Sequence, residues 1–376
     1  MRIGFDAKRA FANKTGLGNY SRFVLDALMT YYKSNEYFAY TPKDNQNLYP
    51  GFPLDRIRMP ESFLHKKLKA YWRSAGVLSQ LKSDQIDVYH GLSHELPTGL
   101  NRAKIGSVVT MHDLIFERLP ALFKPMDRLI YRYKFKAACA DADAIIAISE
   151  QTKRDLLELY QVDESKIKVI YQDCNPLFKI PLPADQRKEI VGKYGITNPF
   201  ILSVGTLEAR KNQLRLVEAF AQLGNHDFQL VLIGKPTPYT VKIQEFIKRA
   251  NLEKRVIILQ NIPTAHLPAL YQEAAVFAYI SMYEGFGIPI LEALHSGTPV
   301  LSAKGSCLEE AGGPGGLYAD PLDISDIGNQ LQKLISDGNL RNTLVSAGKT
   351  YIERFEGEKI ASQLMNLYGE VIANRN

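Results

Sequence analysis

The chain has 376 residues, 45% hydrophobic and 23% charged, with a net charge of +6. Those are ordinary values for a globular protein and exclude a disordered or a membrane-embedded chain. The length exceeds what one hydrophobic core usually supports, so two domains are expected.

The first predicted strand is R-I-G-F-D-A-K (2–8). It leads through a polar loop to T-G-L-G-N-Y (15–20), after which Tyr20, Phe23, Val24, Ala27, Leu28 and Tyr31 recur at helical spacing, so a helix is predicted just after Gly18. Further strands are predicted at 86–90, 105–112, 144–149 and 168–170, with a helix over 150–160 that Ser149 can cap. Pro176, Pro181 and Pro183 punctuate N-P-L-F-K-I-P-L-P (175–183), which reads as an extended linker and sets the expected boundary between domains 1–180 and 181–356. Beyond it the alternation restarts, with strands at 200–205, 228–234 and 256–260 and intervening helices ending near Phe220, Ala250 and Ala274. Nearly all-apolar strands alternating with helices indicate parallel sheets covered on both faces. Ile360, Leu364, Leu367, Tyr368 and Val371 repeat at helical spacing, so residues 357–376 are expected to form a helix that crosses back onto the first domain.

The most informative stretch is E-G-F-G-I-P-I-L-E (284–292), between predicted strands at 275–281 and from Thr298. Gly285 and Gly287 allow a tight turn, Pro289 suits a first helical turn, and Gly297 stands where a C-terminal cap belongs. Glu284 then lies in the loop and Glu292 one to two turns into the helix, so both can face one crevice. In open α/β sheets, ligands bind outside the carboxyl ends of strands, which is where Glu284 falls.

Several motifs converge on one resemblance. The stretches 283–300 and E-E-A-G-G-P-G-G-L-Y-A-D-P-L-D (309–323) resemble retaining glycosyltransferases of family 4. So do V-G-T-L-E-A-R-K-N (204–212), T-G-L-G-N-Y, T-M-H-D-L (110–114) and A-I-S-E-Q-T-K-R-D-L (147–156). The likeness runs almost end to end. It implies an α/β chain of the GT-B fold, with two Rossmann-like parallel-sheet domains facing across a cleft. The first domain would bind acceptor and the second the nucleotide sugar.

Sugar transfer from a nucleotide diphosphate expels an anionic leaving group while the sugar passes through an oxocarbenium-like state, so cations must meet the diphosphate. Lys211 resembles the family lysine that binds donor phosphates, and Arg210 could assist with a bidentate fork. Two cations at a helix start oppose its dipole, which favours the functional reading. Many relatives carry an arginine directly after the motif's glycine; here Thr206 stands there, and the stretch to the lysine is one residue shorter. Gly16 and Gly18 open one helix, and Gly285, Phe286, Gly287 and Ile288 open another, so backbone N–H groups could complete an anion site. By resemblance, Glu292 would hold ribose hydroxyls and Glu284 the donor sugar. His112 matches the family histidine that approaches the transferred sugar, with Asp113 orienting it. His90, and less clearly His94, would line the acceptor pocket.

Asp141-Ala142-Asp143 matches a D-x-D metal motif, but it ends a helical run ahead of its strand, so no metal is expected. Cys139, Cys174 and Cys307 are odd in number and widely spaced, which argues for buried, reduced thiols rather than disulfides or zinc. Gly16-Leu17-Gly18 resembles part of a dinucleotide fingerprint whose third position is here Ser21, which makes an NAD-dependent oxidoreductase the weaker alternative.

The expectation is a hexosyltransferase without a cofactor. GDP-mannose is its first candidate donor, ahead of UDP-glucose, UDP-galactose and UDP-N-acetylglucosamine, and the acceptor is a lipid-linked saccharide or polysaccharide. The alternatives are a sugar phosphorylase or sucrose-synthase-like transferase with a soluble acceptor, or a sugar-nucleotide-binding protein without turnover.

No apolar run is long enough to span a bilayer, and Asp6 precedes any signal-like core, so a cytoplasmic protein is expected. Residues 1–180 carry 27 Lys and Arg against 20 Asp and Glu, and no nucleic-acid-binding signature accompanies this basic half. An anionic surface on the inner face of a membrane suits it better. In S-F-L-H-K-K-L-K-A-Y-W-R-S-A-G-V-L (62–78), Leu64, Leu68, Tyr71, Trp72 and Ala75 would share one helical face flanked by Lys66, Lys67, Lys69 and Arg73, a pattern suited to a membrane interface.

Overall fold

Runs such as F-I-L-S-V and A-I-I-A carry no alternation because both of their faces are covered, and in the computed structural model nearly all their residues are buried. The structure describes residues 1–224 and 227–375. The chain divides into two units, Met1–Asp173 with Phe355–Asn376, and Cys174–Arg354.

The first unit holds seven parallel strands: β1 (Arg2–Asp6), β2 (Glu36–Tyr40), β3 (Ile57–Arg58), β4 (Val88–Gly91), β5 (Gly106–Met111), β6 (Ala144–Ala147) and β7 (Ile167–Val169), in the order β3-β2-β1-β4-β5-β6-β7. The second holds β8 (Phe200–Val204), β9 (Gln229–Ile233), β10 (Val256–Leu259), β11 (Val276–Tyr279), β12 (Val300–Ala303) and β13 (Gly316–Ala319), in the order β10-β9-β8-β11-β12-β13. Each sheet reverses its winding once, between β1 and β4 and between β8 and β11. These switch points are where loops diverge and leave room for a ligand beyond the strand ends. Helix residues such as Leu216, Phe220, Ile243, Ile327 and Leu331 join strand residues Ile201, Leu230 and Val276 in the core of the second unit.

The C-terminal helix Gly357–Ala373 belongs to the first unit, where Ile360, Leu364, Leu367, Tyr368 and Val371 are buried. Its approach to β5 is so close that a Cβ on Gly106 would come within 2.8 Å of Val371. Arg375 pairs both nitrogens with Asp143 at 2.8 Å, and Asp143 also accepts from the Ser107 N–H and hydroxyl, so the second aspartate of the D-x-D sequence anchors this helix.

Local expectations depart from the structure at five places. Where a polar loop was expected after β1, a short helix forms at Lys8–Ala12 and buries Phe11, and the helix predicted after Gly18 spans Gly16–Tyr31, starting before that glycine, because the Thr15 carbonyl already accepts the N–H groups of Gly18 and Asn19. Gly18 is required there for contact, since a Cβ would lie 1.9 Å from the Asn13 carbonyl oxygen. The stretch 175–183 is not wholly extended: Asn175 caps a 3₁₀ turn at Pro176–Lys179, which buries Phe178 against Tyr271.

The 62–78 segment is not one helix. It breaks at Leu68 and continues as a π turn, Trp72–Gly76. Trp72 leaves the expected stripe for the core, donating Nε1–H to Gln80 at 2.7 Å, and Arg73 pairs with Asp6 and Glu95. Finally, β2, β3 and β13 had no counterpart among the predicted strands. Two of them are short or open on glycine, and β2 follows a polar turn without a periodic signal.

Candidate active site

In the second unit the loops after β8 and β11 converge at the switch point. The first carries Arg210 and Lys211 on a 3₁₀ turn (Ala209–Lys211), and the second carries Glu284. Glu284 Oε1 lies 2.6 Å from Lys211 Nζ and Oε2 lies 2.8 Å from an Arg210 nitrogen, so one carboxylate serves both cations. Arg210 also donates to the Tyr283 carbonyl at 2.6 Å and to Glu208 at 2.8 Å. The Tyr279 hydroxyl, at the end of β11, accepts from Lys211 at 2.5 Å and donates to Glu284 at 3.1 Å. Burial alone would push the Glu284 carboxyl up, but Lys211 and Arg210 hold it at about 2. Burial likewise opposes the charge on Lys211, and Glu284 outweighs it, so its pKa is raised. All three side chains are therefore ionised at neutral pH.

The glycine turn does what its spacing implied. Gly287 adopts φ +127, and an added Cβ would meet Leu308 at 2.9 Å, so both backbone freedom and space demand glycine. It opens the helix Ile288–His295 with Pro289 in the first turn. Since Pro289 has no N–H, the Gly287 and Ile288 amides are the donors this helix start presents to an anion. Glu292 sits on that helix but outside the Glu284 cluster. Its carboxyl accepts the Tyr271 hydroxyl at 2.9 Å, and burial raises its pKa to about 7, against the pull of that hydrogen bond. The two glutamates therefore have different partners and different charge states.

In the first unit, His112 follows β5. Its Nε2–H donates to the Leu92 carbonyl at 2.8 Å, which leaves Nδ1 as an acceptor, and its ring meets Tyr20 edge-on at 4.6 Å. Tyr20 belongs to the helix opened by Gly16. The backbone N–H of His112 donates to His94 Nε2 at 2.9 Å, and His94 holds a left-handed conformation, φ 63, to reach it. Asp113 accepts the Ile115 N–H at 3.1 Å. His90 bridges Thr110 (2.8 Å) and the Tyr368 hydroxyl (2.7 Å), and Thr110 meets Tyr20 at 2.9 Å, so His90 is tied into the core and to the C-terminal helix. Burial lowers the pKa of His112 to about 4 and of His90 to about 3, so both are neutral near pH 7.

Sequence reasoning missed Tyr279, Tyr271 and the Leu92 carbonyl. Only Tyr279 left a signal, a hydroxyl at the carboxyl end of an otherwise apolar strand.

With this geometry in view, the chain was compared with known proteins. A model of glycosyl transferases group 1 matches residues 186–351, and one of Glycosyltransferase Family 4 matches residues 27–172. O-antigen chain mannosyltransferase B of Escherichia coli is 30% identical over 286 residues, covering 75% of this chain and 74% of the relative. The chain belongs to glycosyltransferase family 4. Another relative, O-antigen chain mannosyltransferase RfbU of Salmonella typhimurium, is 24% identical over 301 residues, 80% of this chain and 78% of its own. Among solved structures, Anabaena HepE in complex with UDP and glucose superposes with a TM-score of 0.78 at 20% identity, covering 98% of this chain and 100% of that one. WaaG, a glycosyltransferase involved in lipopolysaccharide biosynthesis, gives 0.72 at 17%, covering 98% and 99%. At such identities the structures establish the fold, and it is the GT-B architecture of two Rossmann-like units. Within this glycosyltransferase, the switch point of the second unit gathers two cations and a carboxylate, and in the first unit the neutral, buried His112 after β5 packs against Leu92, which follows β4, and Tyr20, on the helix after β1.

Proposed function

We propose that this glycosyltransferase transfers a hexose with retention of anomeric configuration and without a metal ion. Mannose from GDP-mannose is the first candidate donor, and the acceptor is a lipid-linked saccharide or cell-surface polysaccharide. The observation that carries the reading is the Lys211–Arg210–Glu284 cluster at the β8/β11 switch point. Two fixed cations there can take the charge that develops on a departing nucleoside diphosphate, and the Gly287 and Ile288 amides can add two neutral donors. Glu284, ionised between them, can then turn to the hydroxyls of the donor sugar, and Glu292 to those of the ribose. His112 has its lone pair on Nδ1 and stays neutral, so it suits a hydrogen bond to a sugar hydroxyl rather than proton donation.

The mannose preference is supported by mannosyltransferase relatives at 30% and 24% identity. A nucleotide-release assay tests the proposal with GDP-mannose, UDP-glucose, UDP-galactose and UDP-N-acetylglucosamine, each with and without a lipid extract and with EDTA. GDP release that needs the extract and survives EDTA is expected. Release dependent on a free sugar would favour a soluble acceptor, and none with any donor would point to a binding protein.

A further inference from the structure

We propose that the first unit seats on an anionic lipid bilayer through an outward-facing apolar stripe on the helix Pro125–Asp141, assisted by the segment 63–71. The helix is amphipathic in the wrong sense for a domain that meets only water. Met126, Leu129, Ile130 and Tyr133, spaced i, i+3, i+4, i+7 along one face, are 66%, 59%, 46% and 76% exposed. The polar side of the same turns is held against the domain rather than left to water alone: Arg128 and Arg132, partly exposed, pair with Glu117 at 3.8 and 2.6 Å, and Arg128 donates to the Phe116 carbonyl. Only Phe135, Ala138 and Cys139, all in the C-terminal half, are buried. A soluble helix normally buries its apolar stripe, and an exposed row of this kind marks an interaction surface.

A second apolar group lies close by. Phe63, Leu64, Leu68 and Tyr71 are all exposed, the residues left outside when Trp72 enters the core. One carboxylate ties the two segments together: Glu95 accepts Arg73, two residues after Tyr71, at 3.1 Å and Lys134, next to Tyr133, at 3.0 Å.

The charge around both groups points to lipid as the partner. Residues 62–73 carry four Lys and Arg and no acid, and residues 120–137 carry five against one Asp. Lys66, Lys67, Lys69, Lys124 and Lys136 form no ion pair among the described residues, so their charge remains for phosphate headgroups. Long aliphatic and aromatic side chains inserted between free lysines are what an interfacial surface requires, and no helix of the described residues is long and apolar enough to cross a membrane. Such a seat would bring the enzyme to a lipid-linked acceptor, a consequence that rests on the function proposed above.

The test is co-sedimentation of the full chain with phosphatidylcholine vesicles with and without phosphatidylglycerol, at low and high salt. Three proteins are compared: wild type, Leu129→Ser with Ile130→Ser, and Lys66→Glu with Lys67→Glu and Lys69→Glu. Wild type should pellet with anionic vesicles and be released by salt. Each variant should bind about tenfold more weakly or worse, the serine pair by losing insertion and the glutamate triple by losing headgroup attraction. GDP affinity and the melting temperature, read on the same proteins without vesicles, should match wild type, because every substituted side chain is exposed. A protein that transfers sugar yet stays in the supernatant with anionic vesicles at low salt overturns the membrane seat while leaving the function standing. Variants that pellet like wild type overturn it too. So does a wild-type dimer without vesicle binding that the serine pair converts to monomer, which would assign the stripe to a second copy of the chain.

Discussion

Replacing Glu284 by Gln keeps the side chain's shape and leaves Arg210 and Lys211 facing one another without their shared anion. The three side chains are 11 to 14% exposed, so solvent screens the loss little. A carboxyl held at about 2 in the folded protein against an ordinary 4.5 contributes about 3 kcal/mol to folding at neutral pH. That agrees with the roughly 3–5 kcal/mol typical of breaking a buried ion pair from one side. For a unit of this size it corresponds to a melting point lower by about 6–12 °C.

The sign with pH follows from the depressed value. The stabilisation is complete above 4.5 and is lost as pH falls toward 2, so the wild-type advantage over Glu284→Gln should shrink across that window. A nucleoside diphosphate would supply the missing negative charge, so GDP or UDP should raise the melting point of the variant more than that of wild type, while turnover falls. Differential scanning fluorimetry over pH 3 to 7, with and without nucleotide, reads all of this. A variant that melts with wild type at pH 7, or gains no more from nucleotide, would refute the idea that Glu284 is the resident counter-ion of a diphosphate site.

Lys211→Ala should reduce turnover by roughly a hundredfold or more, the scale of losing one preorganised charge at a leaving group, and EDTA should leave wild-type rates unchanged; activity lost to EDTA and restored by a divalent ion would contradict this. Glu292, raised to about 7, favours folding below 4.5 and loses that contribution as pH rises through 7, so Glu292→Gln should gain stability relative to wild type between pH 5 and 8. If Glu292 accepts ribose hydroxyls as a carboxylate, calorimetric nucleotide affinity should strengthen from pH 6 to pH 8 in wild type and stay flat in the variant. Tyr368→Phe leaves the buried His90 Nδ1 without its partner and should cost about 1–3 kcal/mol in urea unfolding, with nucleotide affinity unchanged.

The sequence alone determined what is settled within a few residues. Apolar runs without alternation declared parallel strands covered on both faces, and Ser149 capped its helix at the predicted place, accepting the Thr152 N–H at 3.0 Å. The spacing of Gly285, Gly287 and Pro289 identified a turn opening a helix, because φ, ring closure and the missing N–H are local properties. Together with the family motifs these pointed to Lys211, Glu284, Glu292 and His112.

Tertiary structure decided everything that depends on which strands become neighbours. Lys211 and Tyr279 are 68 positions apart and meet because β8 and β11 flank one switch point; His90 and Tyr368, 278 apart, meet because the last helix returns to the first sheet. No periodicity encodes such pairings. The same limit explains why Trp72 left its stripe and why the row from Met126 to Tyr133 points outward. A helical pattern shows which residues share a face, but whether that face turns to core or to surroundings depends on what the rest of the chain packs against it.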